Sequence, residues 1–452
     1  MSLGVLAPLK VNDYRNLWVG QVVSVMGDKL NQIAMGIMVY KITGSMLQMG
    51  IMLGITVLPS ALFGLIAGAY VDRWDRRRTM IGADLLRAAL VALIPWAIAN
   101  GGVVSAYLLA FSVATVALFF EPAKLSLIPD LVPDDELMAA NSLDNASSAL
   151  AELIGLAFAG AVVGFMGYAR AFQLDALSYV FSAGMIALIS HREPRRGARP
   201  ASTQASPPPA TAAGATAPPV ASDAPGAELT LDPNANPLPE LVATPDPDAA
   251  ADPGASILAE VAEGARHIWR TPLLRDLTTL WAFAALGLGA SLTLGYGLAL
   301  QRYDAGAFGL ALLDGSIAVG LLIGTVTIGR TDMIHSGVKV LGGLTVFGLT
   351  FALVAFAPTI WVAAPLLLVG GIANMWFLIP TITMVQRTTR EELRGRVLAA
   401  RQTITRIASA FSIVLAGVAV EHVSMSSVIL GVSAMVIAAS LWGWTRPSLR
   451  DA

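Results

Sequence analysis

The sequence contains no cysteine and little charge. Of its 452 residues, none is cysteine and 13% are Asp, Glu, Lys or Arg, whereas soluble globular domains hold about 25% charged residues. The absence of cysteine excludes disulfides, thiolate metal sites and cysteine catalysis. The shortage of charge places the chain in the membrane class.

Enzyme and pump motifs are also missing. No G-x-x-x-x-G-K-[ST] phosphate loop occurs, so the chain is not a self-contained ATP-driven pump. G-x-S-x-G and H-E-x-x-H are absent, and the 4 histidines are scattered along the chain, which argues against an enzyme. We expect no cofactor, no metal and no nucleic-acid partner.

Long apolar runs dominate the sequence, which is 55% hydrophobic with a mean hydropathy of +0.67. A membrane-spanning helix needs about 20 mostly apolar residues. The first run is long and carries Asp28 and Lys29, so we expect it to remain as a span rather than be removed as a signal peptide. The twelve predicted spans cover residues 18–40, 49–70, 80–99, 104–120, 146–165, 172–190, 277–300, 307–329, 338–357, 361–385, 404–420 and 428–444.

Basic residues are concentrated in one set of short loops. Four arginines fall within residues 73–78 and four within 387–396, whereas the alternate loops hold little beyond Lys41, Arg170 and Arg302. Loops rich in Lys and Arg stay in the cytoplasm. We therefore expect the arginine-rich loops and both chain ends to be cytoplasmic, in the inner membrane of a bacterium.

A segment of different composition separates the two halves. Residues 191–256 are rich in Pro, Ala, Asp and Thr and hold few large apolar side chains. This composition predicts a disordered cytoplasmic linker, with a regulatory docking segment as the alternative. Residues 257–276 begin with ILAEVAEGARHIW, which predicts an amphipathic helix on the inner membrane surface. The six-helix bundles then cover 1–190 and 277–452.

The two halves resemble each other. PDLVPDDELMAAN and QRTTREELRGRVLAA both follow a fourth span and place an acidic pair before a leucine, Leu137 or Leu393. Further on, LAFAGAVV and IVLAGVAV occur in register. Parallel repeats of six spans are typical of transporters whose substrate site lies between the halves near mid-bilayer. The predicted fold is an all-α integral membrane protein with twelve helices in two bundles.

The loop between spans two and three is densely charged. Its sequence GAYVDRWDRRRTM holds six ionisable residues in the seven positions from Asp72 to Arg78. It resembles G-x-x-x-D-R-x-G-R-R, the signature loop of the major facilitator superfamily, with Asp75 in place of the usual glycine. DRWDRRR, YRNLW and PDLVPDDEL are similar to segments of exporters of the enterobactin and macrolide efflux type.

This loop predicts a cytoplasmic gate. Gly68 lets two helices approach closely, and Asp72 faces the positive end of a helix in the other half. The arginines are expected to pair with nearby carboxylates, and the resemblance implies that this network joins the halves until the gate opens. A topology signal alone is the alternative. The residues assigned to the gate are Gly68, Asp72, Arg73, Asp75, Arg76, Arg77, Asp84 and Arg87.

Polar side chains recur at helical spacing along span one. A charged side chain against lipid costs at least ~2.5–3.5 kcal/mol, so such residues are functional candidates. We expect Asp28 to lie near mid-bilayer on a water-filled cavity, with a structural pair as the alternative, whereas Lys29 points elsewhere and pairs with a carboxylate. The polar face consists of Gln21, Ser24, Asp28 and Asn31 or Gln32.

Span five carries Ser148 and Glu152 on one face. A partly desolvated carboxyl group loads protons near neutral pH, so Glu152 is the predicted proton-titrating group; permanent pairing with a basic residue is the alternative. The small residues that follow resemble the antiporter motif of span five, although Leu156 stands in place of its proline. They are Gly155, Ala159 and Gly160.

Further candidates lie in the second half. Asp314 in span eight faces the cavity or caps the outer half of its helix, and Asn374 predicts a polar stretch in span ten. Tyr296, Trp376 and Phe377 either stack on a lipophilic substrate or pack in the core.

These features predict a monomeric secondary transporter that works by alternating access. A proton entering from outside neutralises Asp28 or Glu152, the substrate leaves, and the cytoplasmic network re-forms. The resemblance favours export of a moderately hydrophobic small molecule, with the proton gradient as energy source. A proton-coupled importer of a small metabolite is the main alternative; a channel or a lipid-moving protein is another.

Overall fold

The computed structural model describes residues 3–71, 74–190, 253–329, 331 and 335–450. These residues form helices and no strand. The predicted linker therefore lies outside the described residues up to residue 252. The long helices are α1 (Asn12–Thr43), α2 (Met46–Val71), α3 (Arg76–Leu131), α4 (Leu137–Met166), α5 (Tyr168–Ala187), α6 (Pro253–Arg270), α7 (Pro272–Gly297), α8 (Gly306–Ile328), α9 (Ser336–Val354), α10 (Ile360–Thr388), α11 (Glu391–His422) and α12 (Met425–Trp444).

Helix α3 contains two spans joined by a reversal. Its backbone leaves helical geometry at Gly102, where φ is 67° and ψ is −165°, a conformation that favours glycine because it has no Cβ. Arg76 at the start of α3 lies 2.5 Å from Asp130 at its end. The two segments therefore form an antiparallel hairpin.

Nine helices in the described part of the chain are long and apolar enough to cross a membrane. The hairpin α3 is counted once among them. Helices α1 and α5 are not among the nine. They carry buried polar residues, among them Gln21 in α1 and Asp175 in α5. Together with the second segment of α3, they complete the twelve predicted spans.

Successive spans run in opposite directions, so the bundle has two faces. We call the face with the starts of α1, α3 and α4 the terminal face, and the face with Gly102 the opposite face. Near the opposite face, both halves share one core, in which Met38, Met49 and Leu294 are fully buried. Near the terminal face each half has its own core, around Leu127 and around Leu280.

Small residues set the close approach of the two halves. Helix α4 packs against α8, and α2 packs against α11. A Cβ on Gly160 would lie 2.6 Å from the Ala311 Cβ, and a Cβ on Gly50 would lie 3.0 Å from the Ile413 carbonyl oxygen. Gly160, one of the small residues of α4, therefore allows close helix packing between the halves.

Helix α6 covers the segment for which an amphipathic helix is predicted. It packs against α11, where Glu263 pairs with Arg396 at 2.5 Å. A Cβ on Gly264 would lie 2.3 Å from the Arg396 carbonyl oxygen. Ile268 is buried and Trp269 is exposed, so α6 has one face on the protein and an aromatic residue outside it.

Candidate functional site

A cavity of about 230 Å³ lies in the N-terminal half, at the level of Asp28. Asp28 is near the middle of the 32-residue helix α1, and 40% of its side chain is exposed. Helices α1, α2, both segments of α3, and α5 form the walls. The polar lining residues are Asp28, Asn31, Gln32, Thr56, Arg87 and Tyr179.

Arg87 and Tyr179 hold the Asp28 carboxylate. Arg87 Nη2 lies 2.6 Å from Asp28 Oδ1 and donates to the Tyr179 hydroxyl oxygen at 2.6 Å. The Tyr179 hydroxyl in turn donates to Asp28. The guanidinium carbon of Arg87 is 4.1 Å from the centroid of the Tyr179 ring, within the range of a cation–π contact. Asp28 is thus bound by two donors and still reaches the cavity.

Gly27 allows α1 and α5 to approach closely enough for these contacts. A Cβ on Gly27 would lie 2.1 Å from Ser178 Oγ and 2.7 Å from Asp175 Oδ1. A side chain at this position would separate Asp28 from Tyr179. The adjacent pair Gly27 and Asp28 therefore supplies both the close helix packing and the carboxylate.

Two further carboxyl groups lie near Arg87 and do not line the cavity. Asp84 Oδ1 is 3.9 Å from Arg87 Nη1, and Asp175 is close enough for its charge to interact with Arg87. Both aspartates have an exposed fraction of 0%. Asp84 accepts no hydrogen bond of good geometry from the described residues, although Ser182 lies beside it.

The sequence-based grouping of Asp84 and Arg87 with the gate loop is revised by this geometry. Both residues belong to the central cluster, where Arg87 contacts Asp28. Residues on successive turns of a helix lie at different depths in the bundle. Asp84 and Arg87 are close to the charged loop in sequence, but they lie at the depth of Asp28 and not in the loop. Asp175 and Tyr179 were not singled out from the sequence, although an acidic residue inside span six is the signal that identified Asp28.

Asp75, Arg76 and Arg77 of the charged loop contact their own half of the protein. Asp75 is the N-cap of α3 and accepts from the Arg78 amide at 2.8 Å, which gives a role to the residue that replaces glycine in the family signature. Arg76 pairs with Asp130, and Arg77 donates to the Ile186 carbonyl oxygen at 3.1 Å. The other gate residues, Asp72, Arg73 and the surroundings of Gly68, lie outside the described residues.

Glu152 lies beside Lys29 and is not among the residues that line the Asp28 cavity. Its Oε2 atom is 3.4 Å from Lys29 Nζ, and 54% of its side chain is exposed. Lys29 also interacts with the charge of Asp314 on α8. Lys29 therefore links α1 to α4 and acts on the other half of the protein.

The remaining residues of the predicted polar face of span one lie above or below Asp28 in the bundle. Asn31 and Gln32 line the cavity. Gln21 and Ser24 are buried, and Gln21 donates to Ser182 at 3.4 Å. Ser148 is partly buried and is not among the lining residues.

Asn374 and the aromatic candidates of the second half are not among the residues that line the Asp28 cavity. Asn374 lines a separate cavity of about 220 Å³ among α7–α10. Tyr296 is fully buried and donates to the Gln32 carbonyl oxygen at 2.9 Å. Trp376 donates to Thr327 at 3.0 Å, and Phe377 is buried. These aromatic residues have packing roles here.

Two buried basic residues lie outside the predicted site. Lys124 pairs with Glu121 at 3.1 Å and with the buried Asp144 at 3.0 Å, so it holds α3 to α4. Arg401 is buried with its guanidinium carbon 3.4 Å from the centroid of the Trp281 ring.

Comparisons with known proteins agree with this architecture. A family model described as the Major Facilitator Superfamily matches residues 17–339. Macrolide efflux protein A of Streptococcus pyogenes is 28% identical over 197 residues, which span 41% of this chain and 46% of that protein. The multidrug efflux pump Tap of Mycobacterium tuberculosis is 24% identical over 436 residues, 94% of this chain and 91% of the pump.

Solved structures share the fold. The nucleoside transporter NupG has a TM-score of 0.69 and 9% sequence identity, with 96% of this chain and 98% of that chain covered. The family model covers most of the chain, and the helices are apolar and form two halves with a shared core at one face. These findings identify a multi-pass membrane transporter that is not an enzyme. The chain belongs to the Major Facilitator Superfamily.

Proposed function

We propose that this transporter exports a moderately hydrophobic small molecule, bearing a positive charge or hydrogen-bond donors, in exchange for protons. The observation that carries the proposal is Asp28, an acidic side chain near mid-membrane with 40% of its surface exposed and a place in the wall of a cavity. Two relatives at low identity, a macrolide efflux protein and a multidrug efflux pump, support export over import.

The cavity chemistry supports this class of substrate. Asp28 supplies a carboxylate, and the buried Oδ1 atom of Asn31 has no hydrogen-bond partner among the described residues. Met35, Met52 and Val113 provide apolar walls. A site with acceptors and apolar walls favours an amphipathic cation or donor. Its volume of about 230 Å³ is below the about 300–1,000 Å³ of drug-sized pockets, so it accommodates the polar group of a larger substrate.

The packing of the two halves supports alternating access. The shared core at the opposite face and the separate cores at the terminal face fit a state that is closed on one side. The arginine-rich loop of Arg76 and Arg77 lies at the terminal face, which we assign to the cytoplasm. With this assignment, we infer a state that takes up substrate from inside a bacterial cell.

Two ion pairs offer sites for protons. Asp28 is paired with Arg87 and Glu152 with Lys29, so a proton on either carboxylate would release a basic partner. Each charge that crosses the membrane gains about 2.3 kcal/mol per 100 mV of potential. We assign the transporter to the cytoplasmic membrane, as a monomer that has both termini inside and is surrounded by lipid.

Transport in liposomes tests the proposal. Purified protein would be reconstituted with an imposed pH gradient, and ethidium and erythromycin would be followed in both directions. We expect both compounds to move against the direction of proton flow in the wild type. Asp28→Asn should abolish this flux, whereas Asp135→Asn, which makes the same chemical change at an exposed position, should not.

The direction of flux separates the proposal from its alternatives. Movement of a small metabolite together with protons would identify an importer. Flux that is equally fast without a gradient would identify a channel. Proton-driven export by Asp28→Asn at the wild-type rate would remove Asp28 from the mechanism.

A further inference from the structure

We propose that Asp84 is the carboxyl group that gives up the proton, and that Arg87 switches between Asp28 and Asp84. This inference rests on the proposed exchange of a substrate for protons at Asp28. It adds a buried partner that is outside the cavity and that the substrate does not touch.

The cluster around Arg87 contains more carboxyl groups than basic groups. Three carboxyl groups, those of Asp28, Asp84 and Asp175, share one guanidinium, that of Arg87. Buried charges in proteins are paired, because an unpaired charge loses its hydration. Arg87 neutralises one carboxylate, and its 2.6 Å contact shows that this partner is Asp28. Asp84 and Asp175, with exposed fractions of 0%, are then neutral acids that each hold a proton.

Among the described residues, Arg87 is the one basic residue close to Asp84. Arg87 faces it from α3, Asp28 from α1, and Ser182 from α5. Neither carboxyl oxygen of Asp84 has a hydrogen-bond partner of good geometry in this part of the protein, and neither has the Nε atom of Arg87. Asp175 accepts from the Ser178 hydroxyl at 3.4 Å through Oδ1, whereas its Oδ2 atom has no hydrogen-bond partner of good geometry among the described residues.

The distances permit a switch by rotation of one side chain. Arg87 Nη1 lies 3.9 Å from Asp84 Oδ1 while Nη2 lies 2.6 Å from Asp28. Asp84 and Arg87 are three residues apart on one helix, where side chains are neighbours. A small rotation of the guanidinium therefore exchanges its partner from Asp28 to Asp84.

The exchange is balanced in charge and protons. Before substrate binds, Asp28 is a carboxylate paired with Arg87, and Asp84 is protonated. A monovalent cation then takes the Asp28 carboxylate, Arg87 turns to Asp84, and the Asp84 proton leaves as the carboxylate forms. One cation has entered and one proton has left, so the net charge of the cluster is unchanged.

Infrared spectroscopy tests the switch without any substrate. In Asp28→Asn, Arg87 has lost its partner and should pair with Asp84, which then ionises. We expect the absorption of protonated carboxyl groups at neutral pH to fall by one group relative to the wild type. Asp28 is partly exposed, so this variant is expected to fold. An unchanged absorption of protonated carboxyl groups would overturn the proposal.

Two buried aspartates provide matched variants. Asp84→Asn alone should also lower the absorption of protonated carboxyl groups by one group relative to the wild type. The double variant with Asp28→Asn should show no further loss. Asp175→Asn removes a different, equally buried carboxyl group and should preserve the loss caused by Asp28→Asn. If Asp175→Asn, and not Asp84→Asn, abolished that loss, the proton would belong to Asp175 and the assignment would be wrong.

Proton release on cation binding separates this inference from the proposed function. Ethidium would be added to detergent-purified protein in weak buffer with a pH indicator. We expect about one proton per bound cation in the wild type and Asp175→Asn, and none in Asp84→Asn. Release by Asp84→Asn would overturn the inference. The expected infrared result without release from the wild type would contradict the proposed cation–proton exchange, and with it the release of the Asp84 proton on cation binding, whereas the switch of Arg87 between Asp28 and Asp84 would stand.

Discussion

Glu421, near the end of α11, accepts a hydrogen bond from the backbone amide of Leu47 at 3.2 Å. Leu47 lies in the first turn of α2, where amides have no partner within the helix. The Ser45 hydroxyl also donates to Glu421. A side chain of the C-terminal half therefore caps a helix of the N-terminal half at the opposite face.

Removal of this cap should favour opening of the opposite face. A lost helix cap costs about 1 kcal/mol, so Glu421→Ala should raise the open population about five-fold. The chain has no cysteine, so a single Ala299→Cys in the shared core, where Ala299 is fully buried, reports on opening. Labelling of this cysteine should become faster by that factor.

The same alanine change at Glu263, which pairs with Arg396 at the terminal face, serves as the control and should leave labelling unchanged. If Glu421→Ala also left it unchanged, the contact between Glu421 and Leu47 would have no role in closure.

Gly27→Ala should destabilise the protein and stop transport. The new Cβ would lie 2.1 Å from Ser178 Oγ, and overpacking of this kind costs about 1–3 kcal/mol. Thermal unfolding in detergent should show the loss. Gly184→Ala on α5 is the matched control, because no described atom lies within 4 Å of the position that its Cβ would take; a melting temperature equal in both variants would contradict the close approach of α1 and α5.

Lys29 and Glu152 should be energetically coupled. Lys29→Glu and Glu152→Lys each place like charges 3.4 Å apart in the wild-type geometry, and both single variants should lose most transport. The double variant restores an opposite pair and should recover part of it, with a coupling energy of about 0.5–3 kcal/mol. Strictly additive losses would show that the pair has no functional role.

Asp75 should contribute through its cap. Asp75→Ala should lower the stability by about 0.5–2 kcal/mol, whereas Asp75→Ser keeps an acceptor and should lower it less. Flux per folded molecule should be similar for both variants. A full loss of flux in Asp75→Ser with normal stability would instead point to a gate contact that the cap does not explain.

The architecture was predictable from the sequence because it rests on local properties. Apolar runs located the spans, and the repeat around Leu137 and Leu393 indicated two bundles. Asp28 stood out because charge is rare in such runs. The helices extend beyond the apolar segments, however: α4 starts at Leu137, well before residue 146.

Contacts between distant helices were not predictable in this way. Arg87 follows the gate loop closely in sequence and yet contacts Asp28 and Tyr179. The depth of a residue in the bundle determines which residues of other helices it contacts. Tyr296 binds the Gln32 carbonyl oxygen across the halves, a contact that depends on how α1 and α7 pack. Composition contains no information about that packing.

If the two halves open alternately around the Asp28 cavity, the two faces of the bundle move in opposite senses, and distances between paired spin labels measure this movement. Two pairs of introduced cysteines would report on the faces: Arg78 with Thr388 at the terminal face, and Val104 with Val423 at the opposite face. All four positions are exposed. When ethidium is added, we expect the first distance to shorten as the second lengthens. Two distances that stay constant, or that lengthen together, would contradict the account.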